Sequence, residues 1–233
     1  MIVSRLKELI EIIAYVPFQT ISIVFLNRSD SLCLTRNGRD PKAFLMDAYS
    51  QIDRVFATGP SGSTPALEKL QMSLINGQGK QVARYFFGDG LPNGGVQAQK
   101  KIVEILKARQ NPAGNPVTFL SCTNEDAAVE WMKDAEEVVA YCSESDDFAD
   151  ERNEVLKDQG MAFPFTYGFY LVCALVGKYR GDACWRRFLP SISYRTLNHS
   201  TFCVVILQEP PIPMIWIPWM SPSHLQNLLW EIS

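Results

Sequence analysis

Two short loops carry the residue types from which a chemical site can be built. One is a Gly/Ser/Thr loop, Ser61-Gly62-Ser63-Thr64-Pro65, running into a helix. The other follows the apolar stretch Ala83 to Phe87 and reads Gly88-Asp89-Gly90. The Thr64 hydroxyl and the Asp89 carboxylate are both hard oxygen donors, the kind that suit Mg²⁺ or Mn²⁺. Ser61, Gly62, Ser63, Gly88 and Gly90 would line the same site. Two protein oxygens are too few to hold such an ion on their own, so the sequence points to a site of which part is missing.

The elements around these loops alternate. Val3, Leu6, Ile10 and Ile13 form one helical stripe with Arg5, Lys7, Glu8 and Glu11 mostly off it, which predicts an amphipathic helix ended near Pro17. Ile21 to Phe25 is a short β-branched run, a strand, followed by a turn and a short edge strand over Ser31 to Thr35. Asp40-Pro41 opens a helix with Asp40 as N-cap. Ser63 or Thr64 starts another, carrying Leu67, Leu70 and Leu74. A strand over Arg84 to Phe87, a helix over Gln97 to Arg109 and a strand over Val117 to Ser121 come next. Thr123 to Asp126 reads as a capping box before a helix with Ala127, Ala128 and Trp131 inward. Glu137 to Tyr141 is expected to be the last strand and Glu144 to Gln159 an acidic helix. This alternation predicts a Rossmann-like α/β fold, a doubly wound, mostly parallel sheet flanked by helices.

The order strand, helix, Gly-Ser-Thr-Pro-Ala-Leu, then strand, Phe-Phe-Gly-Asp-Gly-x-Pro-Asn resembles the von Willebrand factor A domain (vWA) family, over roughly Val3 to Gly177. In that family a metal-ion-dependent adhesion site takes an Asp-x-Ser-x-Ser loop after the first strand, a Thr from a second loop and an Asp from a third. Thr64 matches the second and Asp89 the third. Asp-x-Ser-x-Ser does not occur before the first helix, so the resemblance implies a chain lacking its first strand and first metal loop. The absent strand would be central, between the strands at Ile21–Phe25 and Arg84–Phe87. The resemblance implies recognition of a protein partner through its acidic residue, without catalysis. Thr64 would coordinate the metal or a bound water, and Asp89 would act through water from the opposite side. With these donors alone, Mg²⁺ binding is expected to be feeble or absent. A nucleotide- or small-molecule-binding enzyme using the same crevice, and a non-functional fragment, remain alternatives.

Composition narrows the classes. The chain of 233 residues carries a formal net charge of -3, with its basic residues scattered, so it has no electrostatic footprint for nucleic acid. The prolines within 202–220 argue against a membrane span there. The six cysteines include no C-x-x-C pair, which argues against a zinc ribbon and suggests a reducing, cytoplasmic setting. Cys33, Cys122 and Cys173 read as small buried hydrophobes. The acidic residues Asp126, Asp146, Asp147 and Asp150 fail the EF-hand spacing and read as a solvated helix face. The two histidines, His199 and His224, lie in the final stretch, and the sequence has no nucleophile elbow or P-loop. The chain divides into a vWA-like unit over 1–177 and a Pro/Trp-rich extension over 178–233, read either as an interaction tail or as a gene-model artefact.

Overall fold

A computed structural model describes residues 2–16, 18, 20–57, 64–76, 82–123 and 125–176. Along the chain these form α1 (Ile2–Ile13), β1 (Thr20–Val24), β2 (Ser31–Thr35), α2 (Pro41–Phe56), α3 (Ala66–Asn76), β3 (Arg84–Gly88), α4 (Gly95–Ala108), β4 (Val117–Ser121), α5 (Asp126–Val138), β5 (Cys142–Ser145), α6 (Phe148–Gln159) and α7 (Tyr167–Val176). The extension over 178–233 lies outside the described residues. No helix among the described residues is long and apolar enough to cross a membrane.

The α/β class holds, with a parallel sheet flanked by helices, but the five strands among the described residues do not make one sheet. β1 and β2 form an antiparallel hairpin, while β3, β4 and β5 form a separate parallel sheet in that order. Each of β1 and β3 has a strand partner on one side only among the described residues. A shared core holds the two sheets together. Ile21 and Ile23 of β1, Leu32 and Leu34 of β2, Tyr85 of β3 and Leu120 of β4 belong to one buried cluster with side chains of α1, α2, α6 and α7. A second cluster lies on the other face of the parallel sheet, where Val117 and Phe119 meet α3, α4 and α5. There Phe86, Phe119 and Trp131 pack edge to face, with centroids 5.2–6.4 Å apart. That geometry suits the aromatic quadrupole and adds to simple area burial.

Local chemistry explains several boundaries. Asp40 caps α2 by accepting from the Ala43 N–H at 3.1 Å, with Pro41 in the first turn. Asp147 caps α6 by accepting from the Ala149 and Asp150 N–H groups. The cap starts α6 at Phe148, so the expected helix start at Glu144 is corrected. The last strand also moves. Glu137 and Val138 continue α5, Tyr141 turns the chain with φ 54, and β5 begins only at Cys142. Its residues Cys-Ser-Glu-Ser are polar yet all buried, so no apolar run announces it. Other differences are smaller. α4 starts at Gly95, and α7 was not anticipated by the periodicity. Trp131 is buried as expected, but Ala127 is exposed and Ala128 half-buried, and α5 also buries Val129, Met132 and Ala135. The Thr123 hydroxyl accepts from the Glu125 N–H in a local turn, while Glu125 makes no side-chain cap. Cys33 is exposed on the outer face of β2, whereas Cys122 is buried and Cys173 half-buried.

Candidate functional site

The parallel register places the carboxyl ends of three strands side by side. Gly88 pairs with Ser121, and Leu120 with Ser145. The residues just beyond the strand ends are therefore Asp89, Cys122 and Asp146, side by side along one rim. The Cys122 N–H donates to the Gly88 carbonyl at 2.8 Å, which carries the β3–β4 pairing to the edge of the rim. In an open α/β sheet this is where loops carry ligand-binding groups.

Asp89 is exposed at this rim. Space is tight at the residue before it, because a Cβ on Gly88 would lie 2.4 Å from the Met132 Cε, the movable end of that side chain, and 3.3 Å from the Phe86 Cε1. Gly90 is different, since a Cβ there meets nothing within 4 Å. Gly88 is thus closely packed, and Gly90 is not.

Thr64 is tied to the same loop. Its N–H donates to Asn93 Oδ1 at 2.9 Å, and the Asn93 N–H donates back to the Thr64 carbonyl at 2.9 Å. Asn93 is four residues beyond Asp89, in the segment that leads into α4. The Thr64 carbonyl also accepts from the Ala66 N–H at 2.8 Å, which closes the turn into α3. The Thr64 hydroxyl, in contrast, makes no hydrogen bond among the described residues, so it does not act as a helix cap there. Ser61, Gly62 and Ser63, expected to line this loop, lie outside the described residues.

The rest of the rim is closed by groups that the periodicity had placed elsewhere. Arg5 is buried rather than on a solvated face. Its guanidinium donates to the Ser121 carbonyl at 3.1 Å and to the Ser145 carbonyl at 3.2 Å, bridging the ends of β4 and β5. It also lies 5.8 Å from the centre of the Tyr170 ring. Asp146 is likewise buried, which corrects its reading as part of a solvated face. It accepts from Ser121 Oγ at 2.6 Å and is ion-paired with Lys133 at 2.7 Å. The Asp146 N–H donates to Glu151 Oε1 at 3.1 Å, and its carbonyl accepts from the Tyr170 hydroxyl at 2.9 Å. Burial works against the Asp146 charge, but Lys133 and Ser121 outweigh it and hold the carboxyl below the usual carboxylate range. No local signal marked this position, because β5, the strand it follows, carries no apolar run.

The chemistry available follows from these facts. Cys122 is not a ready nucleophile, because burial, with Asp89 adding to it and Arg5 opposing, pushes its thiol up to about 11. Asp146 is already committed to Lys133 and Ser121. Among the described residues of this rim, the open oxygen donors are the Thr64 hydroxyl and the Asp89 carboxylate. Both are hard oxygen donors, the type that Mg²⁺ accepts. Two such donors alone are too few to enclose a metal in protein ligands.

Comparison with known proteins returned no matching family model, no matching curated protein and no matching solved structure.

Proposed function

We propose that this chain is a non-enzymatic recognition domain of vWA-like descent, and that its contact surface is the rim formed by the Thr64 and Asp89 loops. A hydrated Mg²⁺ or Mn²⁺ would be held there by the Thr64 hydroxyl and the Asp89 carboxylate. Ion affinity rises with the number and charge of the ligands, so one carboxylate and one hydroxyl give weak binding. An acidic side chain of a protein partner supplies the further negative oxygen that the pair lacks. Partner and cation would then bind more tightly together than either does alone.

The observation that carries this reading is the reciprocal Thr64–Asn93 hydrogen bonding, which holds a hydroxyl with no partner among the described residues beside the loop bearing an exposed carboxylate. Support also comes from the break in the sheet, which separates β1 and β2 from β3, β4 and β5. The vWA resemblance would put the absent strand at that break. The test is retention of immobilised glutamate-bearing peptides in Mg²⁺ against EDTA. Retention that needs Mg²⁺ and is lost in both Asp89→Ala and Thr64→Val supports the proposal. Retention unaffected by EDTA or by either substitution contradicts it.

A further inference from the structure

The buried end of β5 holds a carboxyl group with one oxygen left over. Glu144 is 4 % exposed, and its Oε1 is buried without a hydrogen-bond partner among the described residues. A buried carboxylate in that state carries a large desolvation cost unless it is paired or neutral. The surroundings do not supply the missing charge. From α5, the Lys133 ammonium is ion-paired with Asp146 at 2.7 Å. From α6, Glu151 brings a second buried carboxylate, engaged with the Asp146 N–H. Glu154 lies close enough to act on Lys133 as well. From β4, the Ser121 hydroxyl donates to Asp146. From α1, Arg5 is directed at the carbonyls of Ser121 and Ser145, and from α7 the Tyr170 hydroxyl is directed at the Asp146 carbonyl.

We propose that Glu144 is a proton-held latch: while protonated it keeps α5, β5 and α6 packed together, and when it gives its proton to solvent this layer loosens. Placing another negative charge among Asp146 and Glu151, with Lys133 already paired, repels the α6 carboxylate and draws water toward β5. Burial first, then the Asp146 and Glu151 charges, push the Glu144 carboxyl up to about 8, against the pull of Lys133 and Ser121. The latch adjoins the candidate rim through Ser121, the residue before Cys122, but it stands independently of what that rim binds.

Hydrogen exchange on the full chain, at about pH 6.5 and about pH 9 and corrected for intrinsic exchange, reads the latch directly. Protection of segments within 126–159 is expected to fall by about tenfold or more at the higher pH, while the β1–β2 hairpin changes little. In Glu144→Gln, which keeps the shape without the charge, the pH-dependent loss should vanish. Equal protection of the wild-type layer at both pH values, or the same loss in Glu144→Gln, would overturn the proposal. Carbon NMR of the glutamate carboxyls in wild-type protein provides a second test that needs no variant. One carboxyl should titrate above pH 7, and titration of every glutamate in the ordinary carboxylate range would overturn the latch.

Discussion

Thr64 and Asn93 exchange two backbone-anchored hydrogen bonds of 2.9 Å, one in each direction. This closes the start of α3 onto the β3–α4 loop although the residues are 29 positions apart. The side-chain half of the clasp depends on a single amide oxygen. Asn93→Ala should therefore cost about 1 kcal/mol, the value of one exposed to half-buried hydrogen bond. Urea denaturation reads that loss, and hydrogen exchange should localise it to 64–66 and 89–95. A loss spread evenly over the protein would show that the clasp is not a local joint.

Arg5 closes the opposite half of the rim. Replacing it with Met leaves the Ser121 and Ser145 carbonyls without their donor in a buried place, an expected cost of about 2–4 kcal/mol. Arg5→Lys should recover less than half of this, because one ammonium cannot reproduce a planar fork spanning two carbonyls. Chemical denaturation of the three proteins measures both effects.

At Gly88 the limit is space. Gly88→Ala brings a methyl group against the Met132 terminus and the Phe86 ring. Met132 Cε is the movable end of a flexible side chain, so the cost should fall near the low end for overpacking, about 1 kcal/mol. The same substitution in a Met132→Ala background should cost distinctly less. A double-mutant cycle with no coupling would place the strain elsewhere.

Stability should depend on pH with opposite signs for two neighbouring carboxyls. The lowered Asp146 value means that its contribution is present above the ordinary 3.8 and is lost as pH falls through the folded value. Glu144 is raised, so its contribution is complete below the ordinary 4.5 and is lost as pH rises toward about 8. The unfolded chain binds fewer protons than the folded one in that window, and stability falls by on the order of a few kcal/mol across it. Melting curves from pH 4 upward should show this decline in wild type and a flatter profile in Glu144→Gln.

Thiol labelling tests burial at the level of single cysteines. Cys33 is exposed and should react first with iodoacetamide among the four described cysteines. Cys122 and Cys142 are buried, and burial leads the causes that push their thiols up to about 11 and about 12. They should label only when the protein opens. Mass spectrometry of tryptic peptides distinguishes the sites.

What the sequence made legible follows the strength of its local signals. Asp40-Pro41 marked the start of α2 and Val117–Ser121 marked β4, because cap chemistry and β-branched runs act within a few residues. The structure ties Thr64 to the segment that follows Asp89. This joint at Asn93 was not legible, because nothing local marks a bond spanning two loops. Arg5, Arg84 and Arg109 counted as scattered charges, yet all three are buried. Arg84 donates to Ser73 and Asn115, and Arg109 to the carbonyls of Leu106, Asn115, Ala140 and Tyr141. Periodicity treats a basic residue as an outward one, so it cannot find a guanidinium that ties backbone carbonyls together inside the fold. β5 escaped for the same reason, since its buried face is made of Ser and Glu.

Paramagnetic broadening by Mn²⁺ in amide NMR spectra tests the proposed rim most directly. Substoichiometric Mn²⁺ should broaden the Thr64, Asp89 and Asn93 amides ahead of all others, Mg²⁺ should reverse this only at high concentration, and Asp89→Ala should abolish it. Broadening centred elsewhere, or unchanged in Asp89→Ala, would contradict a cation site shared by the Thr64 and Asp89 loops.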